Sequence, residues 1–249
     1  MMNCGSCSST CRTASFSRAF RWGPSVESPS AKVPSMPAYL FNSGVLFNVA
    51  KQAANSAGAG NPARQTALIA TIFSVVSMES FINEAIELAS ESRADMESDP
   101  GRVAAFGEMG RQIEESHGSL ELKYQVAKWV FSGSPFEKAA NPFQDFATLI
   151  ATRNALIHFK LLDKYEITPD EGVKLTTPIP ILDRLRSRGV LSDFPEHVNV
   201  SWLERIGTSA MASWSCNVAK AMVTVMAAIP PDGLFKTNMR LLLRGFEIE

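Results

Sequence analysis

Arg153, Asn154 and His158 stand at R-N-x-x-x-H spacing, and these residue types suit cleavage of an RNA phosphodiester without a metal. That reaction needs a base to take the proton of the 2'-hydroxyl and positive charge at the phosphate as negative charge develops there. Histidine, with an ordinary pKa of about 6.5, serves as base or acid near neutrality, and a planar guanidinium grips two phosphate oxygens. Asn154 comes one helical turn before His158, so both project on one flank, where the amide orients the ring or binds substrate. The product is expected to carry a 2',3'-cyclic phosphate.

The element that must present these groups is a helix from Pro142 to Lys160. At about 100° per residue, Phe146, Leu149, Ile150, Arg153, Leu156 and Ile157 fall on one side, so Arg153 takes a place suited to leucine. A second long helix, Ala63 to Arg93, carries Leu68, Ile72, Val75, Ile82 and Ile86 with Glu79 at the centre of the stripe. A lone charge on a buried face costs several kcal/mol, so Glu79 and Arg153 are expected to pair as a carboxylate–guanidinium fork. Five helical positions amount to about 500°, which leaves Arg153 and His158 about 140° apart around the axis. One helix is therefore a poor active site, and two copies about a two-fold axis, the commonest assembly, would line a single cleft.

The motif on a polar break in an apolar helix, together with the segment Phe73 to Glu84 (FSVVSMESFINE), resembles the HEPN superfamily of helical nucleotide-binding domains, many of which are metal-independent ribonucleases. The resemblance implies an all-α, antiparallel HEPN-like bundle and a homodimeric endoribonuclease acting on RNA, in bacterial defence or as a toxin. Arg153, Asn154 and His158 would be catalytic, Glu79 and Asn83 would orient them, and no cofactor is implied. Ala63 to Arg93 matches the first core helix, the motif helix the third and the final helix the fourth, with residues 100–135 as a helical insertion. The toxin branch has a tyrosine two residues beyond the histidine, which an antitoxin modifies. Lys160 stands there in this chain, so the resemblance names no antitoxin partner.

Two other readings come from the same residues. One is a catalytically silent helical module that binds RNA, a nucleotide or a protein. The other is a helical scaffold in which Glu79 and Arg153 only fix helix register. Cys216, Trp202 and Trp214 read as core residues and His117 and His197 as bystanders at loops or helix ends.

The chain of 249 residues is 45% hydrophobic and 20% charged with a net charge of −1. That bounds a cytoplasmic globular protein able to bury a sizeable core, without a global positive field for nucleic acid. No uninterrupted apolar run reaches the roughly 18 residues of a membrane span. Residues 1–37 read as a disordered Ser/Pro/Arg-rich tail ahead of a helical domain over 38–249. Cys4, Cys7 and Cys11 have the C-x-x-C-x-x-x-C spacing of a zinc or iron–sulfur site but lack a fourth ligand nearby, so no metal is expected. The tail also resembles an organellar transit peptide in composition, and Met36 is a second candidate start.

The periodicity predicts helices over Tyr39 to Ala54, Arg102 to Glu115, Leu120 to Phe131, Ile181 to Arg188 and Ser201 to Ile229, a basic apolar end from Phe235 to Phe246 that packs back, and no β-sheet. Asn141 is expected to cap the motif helix with Pro142 just inside it.

Overall fold

The computed structural model describes residues 40–57, 62–158, 165–168, 172–175, 179–192 and 200–247. The expectations for the tail, for Cys4, Cys7 and Cys11, for Met36, for Lys160 and for His197 lie outside these residues. The elements are α1 (Ser43–Ser56), α2 (Pro62–Ser90), a 3₁₀ turn (Ala94–Met96), α3 (Pro100–Glu115), α4 (Leu120–Ser132), α5 (Phe143–Ile157), β1 (Tyr165–Thr168), β2 (Gly172–Leu175), α6 (Pro180–Arg186), α7 (Trp202–Ile206), α8 (Ser209–Ala228) and α9 (Leu234–Arg244). Helices dominate, as the periodicity predicts.

The long apolar helix α2 is the axis of the fold. Its buried residues wrap well over half its circumference, with Ala67, Thr71, Ser74, Val75, Met78, Phe81, Ile82, Ala85 and Ile86 all at most 1% exposed, because helices cover it from several directions. α1 runs antiparallel to it, its start held at Glu84 and its end at Ala67. α3 also runs antiparallel, with Gly107 against Ser90 and Gly110 so close to Ile86 that an added Cβ would lie 2.5 Å from its side chain. α8 runs parallel to α2, against the expected antiparallel arrangement, since Gly207 meets Arg64, Ser215 meets Thr71 and Cys216 meets Ser74 in the same order along both segments.

The start of α1 depends on a residue in another helix. Asn42, the residue at the cap position, makes no side-chain cap bond. Instead, Glu84 of α2 accepts from the backbone N–H groups of Asn42 at 2.6 Å and Ser43 at 3.1 Å, from Ser43 Oγ at 2.5 Å and from Ser80 Oγ at 3.1 Å. A carboxylate meeting the first N–H groups of a helix satisfies orphan donors and favours its dipole. Glu84→Ala should therefore cost about 2–3 kcal/mol by denaturant melting, and Glu84→Gln, which keeps an acceptor oxygen, should cost less.

Aromatic rings fix the ends of the bundle. Phe47 stacks on Phe246 at 4.7 Å, and Phe81 meets the same ring edge-on at 5.7 Å. The chain after α9 reaches this position because Gly44 and Gly245 touch backbone to backbone, where a Cβ on Gly44 would lie 2.9 Å from the opposing Cα. Phe106, Phe131 and Phe235 form a second cluster at separations of 5.1, 6.0 and 5.7 Å. Through these rings and Tyr124, α3 and α4 belong to the same core as α2, α5 and α8.

Two expectations about single elements are corrected. β1 and β2 form a short antiparallel hairpin, with Tyr165 opposite Leu175 and Thr168 opposite Gly172, where the sequence reads as an irregular connection. Each strand has only four residues, too few for an alternating pattern to stand out. The expected helix from Ser201 to Ile229 is broken into α7 and α8, because Thr208 Oγ accepts from Met211 N at 2.9 Å and caps a new helix. The break resets the helical phase, so Met211, Ser215, Val218, Met222 and Met226 face the core while Trp214 is only half-buried. α2 over Arg64–Ser90 is long and apolar enough to cross a membrane by length and composition alone, although Glu79 and Glu84 interrupt it, and half of it is buried by the neighbouring helices.

Between α2 and α8 lies a seam of small polar residues. Thr71 Oγ1 and Ser215 Oγ share a hydrogen bond at 3.2 Å, and Ser74 Oγ donates to Cys216 Sγ at 3.7 Å. Burial pushes the Cys216 thiol up, with the Ser74 contact pulling it partly back. The reactive thiolate is thus scarce and shielded. Alkylation mapped by mass spectrometry should label Cys216 only after denaturation.

Candidate active site

α5 is clamped at its beginning and free at its end. Phe143 stacks on Phe136 at 5.3 Å, Phe146 packs on Tyr124 at 4.7 Å, and Tyr124 in turn donates to Met78 O of α2 at 2.9 Å. Burial pushes the Tyr124 hydroxyl well above the usual tyrosine range, so it stays a proton donor to that carbonyl. Asp145, in the first turn, accepts from Arg188 Nε at 2.6 Å, and the Arg188 guanidinium lies 6.0 Å over the Trp214 ring. These contacts tie α5 to α4, α6 and α8 and leave its last turn at the surface. Asn141 does not cap this helix. Pro142 occupies the cap position in helical geometry without a side-chain bond, and the first turn is entered through Gln144 N to Ala140 O.

The buried face of α5 is rotated from the expected stripe. Phe143, Phe146, Thr148, Leu149, Ile150 and Thr152 are buried, Leu156 is half-buried, and Ile157 is 46% exposed. Thr148 and Thr152 turn inward because each hydroxyl donates to the carbonyl four residues before it, to Gln144 O at 2.9 Å and Thr148 O at 2.8 Å. A threonine satisfied in this way behaves as a small apolar residue. The rotation moves Arg153 from the centre of the stripe to its rim, where its side chain is 24% exposed.

Glu79 and Arg153 do come together, although not as the expected buried fork. Arg153 Nη2 lies 3.7 Å from Glu79 Oε2, and the Glu79 side chain is 46% exposed. That separation is outside hydrogen-bonding range, and an ion pair so open to water contributes at most about 1 kcal/mol. Arg153 Nη1 donates to Asn154 Oδ1 at 3.1 Å, and Nε, though shielded from solvent, has no hydrogen-bond partner among the described residues. The guanidinium is partly sheltered, with its Nε closed to solvent and Nη1 held by the neighbouring amide.

Asn154 and His158 are both exposed. His158 is the residue that ends α5, at φ −92° and ψ 44°, and its backbone N–H donates to Asn154 O at 2.9 Å. The amide side chain of Asn154 is directed to Arg153, so among the described residues its contact with His158 runs through the backbone. Asn83 does not reach this group either. It accepts from Lys123 Nζ of α4 at 2.7 Å, which makes it a partner of Lys123 and removes it from the orienting role expected for it.

Glu79, Asn83 and Glu87 follow one another at helical spacing along α2, and each meets a cation from a different helix. Arg153 of α5 faces Glu79, Lys123 of α4 faces Asn83, and Arg111 of α3 lies 3.6 Å from Glu87. Lys123 is the residue that the sequence reading passed over. Its side chain is 7% exposed, and Glu114 stands 3.6 Å from Nζ. The signal was its spacing, since Lys123, Ala127 and Phe131 recur every fourth residue on the buried face of α4. His117 sits in the turn between α3 and α4 with φ 56°, and its backbone N–H donates to Glu114 O at 3.0 Å.

A cleft of about 310 Å³ opens between the end of α2 and α3, lined in part by Ser90, Ser92, Glu97, Glu108 and Arg111. None of Arg153, Asn154 or His158 borders it. Among the described residues, no three His, Cys, Asp or Glu side chains gather as a metal site. The chain matches no protein-family model, no characterised protein and no solved structure, so the functional reading rests on the motif and its geometry.

Proposed function

We propose that this chain is a cytoplasmic, metal-independent endoribonuclease of HEPN type, a toxin or defence effector that acts as a homodimer. The observation that carries the reading is the end of α5. α5, anchored at its start, carries at its end a partly sheltered guanidinium bonded to the neighbouring Asn154 amide, and an exposed imidazole five residues on.

In the proposed reaction His158 takes the proton of the 2'-hydroxyl, and the 2'-oxygen attacks the adjacent phosphorus. The bond from phosphorus to the 5'-oxygen breaks as the new bond forms, and the leaving oxygen takes a proton from the second copy's imidazole. Arg153 carries the negative charge that builds on the non-bridging oxygens, which is where a fixed cation lowers the barrier most. Asn154 holds the guanidinium plane through the 3.1 Å bond to Nη1. The angular separation of Arg153 and His158 on one helix is the reason for the two-fold cleft, and exposed Ile157 between them supplies apolar surface for such a contact.

A purely structural role for the Glu79 and Arg153 pair draws on the 3.7 Å contact itself. At about 1 kcal/mol or less, that contact is a weak reason to place a guanidinium there. The test is incubation of the purified chain with total RNA in EDTA, with end-group analysis of the products and sedimentation of the protein. Cleavage to 2',3'-cyclic phosphate ends by a dimer is the expected result. No cleavage at any protein concentration would overturn the nuclease reading, and cleavage by a monomer would overturn the shared cleft.

A further inference from the structure

We propose that Glu79 occupies the place of the substrate phosphate on Arg153 in the free protein and must give it up when RNA binds. The inference rests on the ribonuclease reading and adds a competitor built into the site.

The asymmetry of the pair is the starting point. Arg153 is sheltered and anchored through Asn154, whereas Glu79 is half-exposed and stands at 3.7 Å, a contact without a hydrogen bond. A carboxylate there is attracted to the guanidinium by charge alone and can swing into water at little cost. A phosphate oxygen arriving at Nη2 gains a charge-assisted hydrogen bond that Glu79, at 3.7 Å, does not make. Two other cations, Arg188 and Lys123, are closed to such an exchange. Arg188 is held at 2.6 Å by an Asp145 only 20% exposed, and Lys123 is nearly buried with its Nζ on Asn83 at 2.7 Å. Arg111 is as loosely paired as Arg153, at 3.6 Å, but its side chain is 46% exposed against 24% for Arg153.

The consequence is that Glu79 lowers affinity for any polyanion and sets a threshold that the correct strand must overcome. The experiment is fluorescence anisotropy with a short RNA in which every 2'-hydroxyl is methylated, so that it binds without being cleaved, at fixed low salt. Glu79→Gln keeps the shape and removes the charge, and it should bind this RNA about threefold to tenfold more tightly than wild type. Glu87→Gln, eight residues or about 12 Å farther along α2, removes the same charge from the protein and should leave binding within twofold. In the Glu79→Gln/Arg153→Gln double variant the gain should vanish, and pairing two neutral amides there avoids stranding a charge if Arg153→Gln alone folds poorly.

Unchanged or weaker binding by Glu79→Gln overturns the proposal, as does an equal gain from Glu87→Gln or a gain that survives loss of Arg153. Cleavage of natural RNA by wild type is scored separately. Cleavage without the Glu79 effect leaves the nuclease and removes the competitor, whereas the Glu79 effect without cleavage leaves an RNA-binding module in which the competition holds.

Discussion

Replacing His158 by alanine is expected to lower RNA cleavage by about 10²- to 10⁴-fold, the usual contribution of a positioned general base, while leaving the melting temperature unchanged. The separation of the two effects follows from where the residue sits. His158 ends α5, its side chain is exposed, and among the described residues its hydrogen bond to Asn154 is made by the backbone N–H, which alanine retains. Loss of the imidazole therefore removes chemistry without removing packing. A variant with full activity would eliminate the imidazole as the base, and a variant with a collapsed melting curve would show that the ring holds the helix end.

The largest effect on stability is expected from Phe81→Ala. This ring is 0% exposed, packs edge-on to Phe246, and through it reaches Phe47, so it joins α1, α2 and the end of the chain. Truncating a fully buried phenylalanine removes its transfer energy and leaves a cavity, together about 3–5 kcal/mol. For a folded unit of this size the melting temperature should fall by about 10 °C, measured by circular dichroism. Trp129→Ala, whose ring is 52% exposed on α4, should move it by no more than about 2 °C. Equal shifts from the two variants would refute the core assignment.

The helical character and the extent of most helices were legible because apolar residues recur at helical spacing over long windows, as in α2 and α4. Failures fall where local pattern is weak or where a partner decides. The hairpin of β1 and β2 is too short to show alternation, and the break at Thr208 needs only one cap bond, which a continuous apolar seam conceals. The phase of α5 was misread because Thr148 and Thr152 count as polar until their hydroxyls are seen on backbone carbonyls. That error carried Arg153 into the core on paper.

By itself the sequence determined that this chain folds mainly as helices, and that a guanidinium, an amide and an imidazole share the end of one of them. Helical periodicity is a local property, and composition and spacing carry it completely. Only the tertiary structure decided that Arg153 lies at a rim rather than in the core, that Asn83 serves Lys123, and that Glu84 starts α1 from across the bundle. Those outcomes depend on residues about 40 to 70 positions apart meeting in space, and burial and pairing are set by which neighbour arrives rather than by the residue's own stretch of chain.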